Sequence, residues 1–205
     1  MKGGDKLEKL KFSIEDISNI QDSEDKNFSN LEISLFASGQ NLHSCPVSEE
    51  TLRRCAPSAY NIPIVWENLN GDIGTHSKSE IPCGFLFENN NPLRFEVLND
   101  GRTMLKMFGK IWKRYSGKLM QILKNRGGNT PVSVEMDVLD FDDNTQEIRD
   151  FSFNCVTLLG DFEPAIPNAN ALVLSFSTDK ENYYKMFESK YKIDLSKKNA
   201  FMEDT

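Results

Sequence analysis

Pro131-Val-Ser-Val-Glu-Met-Asp-Val-Leu139, then Asp142-Asp-Asn-Thr145, then Ile148 to Leu159: the fold is decided by this run. Its first part alternates strictly, with Val132, Val134, Met136 and Val138 on one face and Ser133, Glu135 and Asp137 on the other. That is the period of a strand with one face on a core. The Asp/Asn turn and the long apolar stretch after it predict a returning antiparallel strand, with residues 150 to 154 expected across from Ser133.

Upstream, the same logic places further strands at Leu31–Ala37, Ile62–Trp66, Cys83–Phe87, Leu93–Leu98 and Thr103–Trp112. An Asn-rich turn from Glu88 to Pro92 joins the third to the fourth. Ser48 is placed as an N-cap ahead of acids in a first turn, and Pro57 as a stop, which predicts a helix of two or three turns. A second helix is expected over Tyr115–Lys124, with Leu119, Ile122 and Leu123 at helical spacing and Asn125-Arg-Gly-Gly128 as its end. Many strands around two helices predict a β-rich α+β fold, a small barrel-like sheet with flanking helices.

The flanks differ in composition. Residues 1–29 are rich in Lys, Glu, Asp, Ser and Asn and read as a flexible polar leader, and residues 178–205 as a polar C-terminal tail or final helix. The compact domain is expected over residues 30–177. With 205 residues, 39% hydrophobic and 27% charged, the chain has the composition of a soluble globular protein with room for a substantial core. No run approaches the length of a membrane-crossing helix or a signal-peptide core, so a cytoplasmic protein with no membrane contact is expected. Cys45, Cys55, Cys83 and Cys155 form no CxxC pair, which favours free thiols over a disulfide framework or a zinc ribbon. With only His43 and His76 available, neither a His-rich metal site nor a cofactor is expected.

A net charge of −7 disfavours a nucleic-acid binder. The basic run from Arg102 to Arg126 reads as a solvated face, with a nucleic-acid-associated module as the weaker reading. His43 reads as a solvated loop residue. Asp142 and Asp143 belong to a turn rather than to a metal site.

Three features remain for chemistry: Gly74-Thr-His76 in a loop, Ser133 in Val132-Ser-Val134, and Thr157-Leu-Leu-Gly-Asp-Phe-Glu-Pro-Ala-Ile-Pro-Asn-Ala169 at the end of the returning strand. A serine hydrolase needs a hydroxyl, an imidazole to take its proton and a third group to orient the imidazole. In their order and spacing, these motifs resemble the prohead (capsid maturation) serine proteases of tailed phages, similar in fold to the herpesvirus assembly proteases. The resemblance covers about Leu31 to Ala171.

The resemblance implies a serine endopeptidase that cleaves scaffold and major capsid proteins, and itself, during procapsid maturation. Ser133 would be the nucleophile and His76 its base, in a homo-oligomer inside the assembling procapsid in the host cytoplasm. Related enzymes carry a Glu or His as third member where this chain has Cys155. Asp150, Asn154 and Glu135 are the other candidates for that role. An Arg that follows the returning strand in the relatives is replaced by the acidic Asp161 and Glu163, which leaves amides near Gly127 and Gly128 as candidate oxyanion donors. The alternative reading is a catalytically decayed homologue with a structural role in capsid assembly.

Overall fold

The computed structural model describes residues 25, 27–41 and 44–174. The expected leader and tail fall outside them, apart from the leader's last residues, and so does His43. Ten strands and two helices follow in the order β1 (Phe28–Ala37), α1 (Glu49–Cys55), β2 (Pro63–Trp66), β3 (Asn68–Leu69), β4 (Asp72–Ile73), β5 (Ile81–Leu86), β6 (Arg94–Val97), β7 (Thr103–Trp112), α2 (Gly117–Asn125), β8 (Asn129–Asp142), β9 (Glu147–Leu158) and β10 (Asn170–Val173). Seven strands close into a barrel in the order β1-β10-β8-β9-β2-β5-β7, with β7 pairing back onto β1 and β6 added along β7. Neighbours in the barrel are antiparallel except β2 and β9, which run parallel.

The alternation that predicts these strands also fills the barrel. Leu31, Ile33, Leu35, Ile64, Leu86, Met107, Ile111, Val132, Val156 and Leu158 are wholly buried. Each such side chain contributes about 1.5–3 kcal/mol relative to leaving it in water. Phe36, Phe151 and Phe153 pack edge-on or tilted against one another, with centroids 5.0 to 5.9 Å apart.

α1 starts at a capping side chain, whereas the Ser116 hydroxyl ahead of α2 donates to the Cys83 carbonyl and caps nothing. The Ser48 hydroxyl accepts from the Thr51 amide at 3.1 Å, and Leu52 and Cys55 turn inward. Pro57 ends the α-helix but not the helical path. The chain continues through a 3-10 turn over Ala56–Ala59 with proline near its start, where no N–H is needed. In α2, Leu119 and Leu123 are buried against the barrel.

Three sequence expectations shift. β1 begins at Phe28, inside the expected leader, because Phe28 pairs opposite Trp112 and sets its ring edge-on to Phe85 at 5.9 Å. β10, absent from the sequence reading, bridges β1 and β8 and closes the barrel. The residue across from Ser133 is Thr157, not one of residues 150 to 154. The turn lies beyond Asp142 and sets that residue opposite Glu147, with Gln146 in the left-handed region at φ 58°; that placement puts Asp150 opposite Asp140 and Phe153 opposite Met136.

Candidate active site

β8 and β9 supply the floor of the site. Ser133 and Thr157 are directly opposed, so their side chains leave the sheet on the same face, about 4.5–5.5 Å apart at Cβ. Glu135, two residues on, faces Cys155. Their neighbours Val132, Val156 and Leu158 point the other way, into the core.

The wall is the loop that follows the β3–β4 ribbon. The Gly74 amide donates to Glu67 O at 2.9 Å and the Gly160 amide donates to Gly74 O at 2.9 Å, which clamps the loop to the end of β9. Gly160 makes that clamp possible, since a Cβ there would sit 2.1 Å from the Ile73 carbonyl oxygen. From this anchor the loop carries His76 and Glu80 over the sheet.

His76 Nδ1 lies 3.2 Å from Glu135 Oε1, 3.4 Å from Glu80 Oε1 and 3.2 Å from Thr157 Oγ1. Thr157 in turn donates to Glu80 Oε1 at 3.2 Å. With Nδ1 held by this group, Nε2 is the ring nitrogen left for a substrate or a nucleophile. Ser133 and His76 line one cavity of about 490 Å³, whose far wall includes Leu35, Phe36, Ile148 and Ile166. Ser133 is 8% exposed and lines that cavity.

The four candidates for a third member separate cleanly. Glu135 is at the imidazole. Asp150 is far from it in the fold, bound to Arg54 at 2.7 Å and to the Cys55 thiol at 3.2 Å, and the thiol, then Arg54, hold its carboxyl below the usual range. Asn154 is exposed and has no contact with His76 among the described residues. Cys155 is buried beside Glu135, and burial, followed by that negative charge, pushes its thiol up to about 11. A neutral thiol cannot balance an imidazolium, whereas the carboxylates beside it can.

Sequence reasoning missed Glu80 and Thr157. Glu80 stands four residues after His76, but the pair lies in a loop, so no helical periodicity marks it. Thr157 is visible only once the register is known.

The glycines proposed for an oxyanion hole are committed elsewhere. The Gly127 amide donates to Lys124 O at 3.1 Å and that of Gly128 to Leu123 O at 2.8 Å, both capping α2 with φ of 71° and 80°. Arg126, just before them, is taken up by Asp72 and by Asp161, at 2.8 and 2.9 Å. Elsewhere in the basic run, Arg102 and Lys106 pair with Asp100 and Glu96. None of the four cysteines is in a disulfide.

Comparison with protein families matches residues 27–193, from the start of β1 to beyond β10, to the YonD N-terminal domain. The chain belongs to the YonD N-terminal domain family. No curated protein and no solved structure matches it. The family match spans both strands of the floor and the loop of the wall, so the whole candidate site lies within the YonD N-terminal domain.

Proposed function

We propose that this YonD N-terminal domain is a serine endopeptidase of the prohead protease type. The observation that carries the reading is the imidazole of His76, held at Nδ1 by Glu135 and Glu80 in the cavity that also receives Ser133. In this mechanism Ser133 Oγ attacks the scissile carbonyl while His76 Nε2 takes its proton and then passes it to the leaving amine. Water, deprotonated by the same nitrogen, releases the acyl group from Ser133. Glu135 and Glu80 fix the tautomer with hydrogen on Nδ1 and stabilise the imidazolium, the work that Cys155 cannot do.

The substrate would be an extended segment of scaffold or major capsid protein. β10 covers the edge of β8 only from Asn129 to Pro131, and among the described residues no strand pairs with that edge beside Ser133. An added strand there would bring a peptide carbonyl past the hydroxyl.

Intact-mass analysis over time of the wild type and Ser133→Ala, alone and with candidate scaffold and coat proteins, tests the reading. Cleavage in the wild type alone supports it. Equal cleavage by the variant, or none by either protein when folded, removes it. One observation favours the second reading, a decayed homologue acting structurally in capsid assembly: the Gly127 and Gly128 amides are spent in the cap of α2 and offer nothing to an oxyanion.

A further inference from the structure

Two carboxylates converge on one imidazole nitrogen, and their charge is poorly balanced. Among the described residues no lysine or arginine pairs with Glu80 or Glu135, and His76 is their only ion-pair partner. A neutral imidazole carries one N–H, which cannot serve both carboxylates and the Thr157 oxygen together. Glu80 is largely buried, with 14% of its side chain exposed, so water compensates it poorly.

The spacing suits a metal. One oxygen from each glutamate and the imidazole nitrogen lie within 4.8 Å of one another, and the two N···O separations are 3.2 and 3.4 Å. Metal–ligand bonds of about 2.0–2.2 Å in a tetrahedron place neighbouring donors about 3.3 Å apart. Two of the three donor pairs thus already stand at ligand spacing, and the third, between the two carboxylate oxygens, is within 4.8 Å. His76 and Glu135 are 39% and 52% exposed, which opens a path from solvent.

We infer that His76, Glu80 and Glu135 form a binding site for one divalent transition-metal ion of the Zn²⁺ class, ligated through His76 Nδ1. An imidazole ligand favours such ions over Mg²⁺ or Ca²⁺, which take oxygen. The ion supplies the missing positive charge, and water takes the remaining position. Its effect on cleavage rests on the proposed protease reading. A neutral imidazole ligated at Nδ1 carries its hydrogen on Nε2, and a protonated Nε2 cannot accept the proton of Ser133. The metal thus holds the wrong tautomer and closes the site reversibly.

Calorimetric titration of the full chain, stripped with EDTA, with ZnCl2 and with MgCl2 tests the site without any substrate. Wild type and Ser133→Ala should each take up one Zn²⁺ and no Mg²⁺. Affinity should fall at least tenfold in His76→Ala and in the isosteric double variant Glu80→Gln/Glu135→Gln, with folding checked by circular dichroism. No uptake by the wild type, unchanged uptake by the double variant, or loss in Cys155→Ser with the glutamate variant unaffected would overturn it. Cleavage assays separate the two ideas. Wild type that cuts after EDTA and stops with Zn²⁺ supports both; cutting that continues with Zn²⁺ bound overturns the tautomer block and leaves the protease. Zn²⁺ uptake with no cutting at any metal level overturns the protease and leaves the site.

Discussion

Glu135 Oε1 stands 3.2 Å from His76 Nδ1, joining the outward face of β8 to the loop between β4 and β5. Glu80 approaches the same nitrogen from within the loop itself, at 3.4 Å. The imidazole is therefore held from both sides, by a strand that cannot move without its ladder and by a loop pinned at Gly74 and Gly160.

Under the protease reading, this division has a kinetic consequence. Glu135→Gln and Glu80→Gln should each lower kcat with little change in KM, and the double variant should lose about 10²–10⁴-fold. Because the two act on one nitrogen, the double loss should differ from the product of the single ones. Steady-state cleavage of a peptide substrate by the four proteins measures it, and strict multiplicativity would show that the two carboxylates do not share one role.

Gly160→Ala should destabilise the fold and displace the His76 loop together. The added methyl meets the Ile73 carbonyl oxygen at 2.1 Å, which is backbone and cannot rotate aside. A cost of about 1–3 kcal/mol is expected from such overpacking. Urea denaturation gives the cost, and an unchanged midpoint would mean that the loop is not clamped there.

Arg126 ties the end of α2 to β4 and to the segment after β9, and it holds the Asp72 carboxyl below its ordinary value of 3.8. A carboxyl depressed in the folded state stabilises above its unfolded value, and that contribution disappears as pH falls through the folded one. Stability should thus drop below about pH 4, by no more than about 1 kcal/mol from this pair, since Asp72 is half exposed. Comparing urea midpoints at pH 7 and pH 3, the drop should be smaller in Arg126→Met than in the wild type.

Cys155 should resist alkylation in the native protein. With its thiol pushed up to about 11, the reactive thiolate at pH 8 is a fraction of about 10⁻³. Urea should accelerate labelling by iodoacetamide at least ~100-fold, read by peptide mass analysis. Glu135→Gln removes a neighbouring negative charge that raises the thiol, so native Cys155 should label faster in that variant.

Much of the architecture is written locally. β7 spans Thr103–Trp112 as its alternation predicts, and Ser48 caps α1 with the hydroxyl expected of it. β8 and β9 are legible because one apolar face and one polar face repeat over many residues, and a turn sequence divides them. β10 is not: its four residues follow a stretch broken by Pro164 and Pro167, and so short a strand carries no period of its own. The β3–β4 ribbon, with two residues on each side, is hidden for the same reason.

The candidate site divides along the same line. Local sequence is enough to tell which faces of which strands are apolar, where the helices start, and that Ser133 and Glu135 share the polar face of one strand, because these depend on residues within a turn or a few positions of each other. That Thr157 lies across from Ser133, that Asp150 belongs to Arg54, and that Glu80 and Glu135 meet at His76 emerges from the folded barrel alone. Register depends on where a turn falls, barrel closure on the pairing of β1 with β7 and β10, and the imidazole's neighbours on both. Those are contacts between distant segments, chosen by the packing of the whole core rather than by any local period.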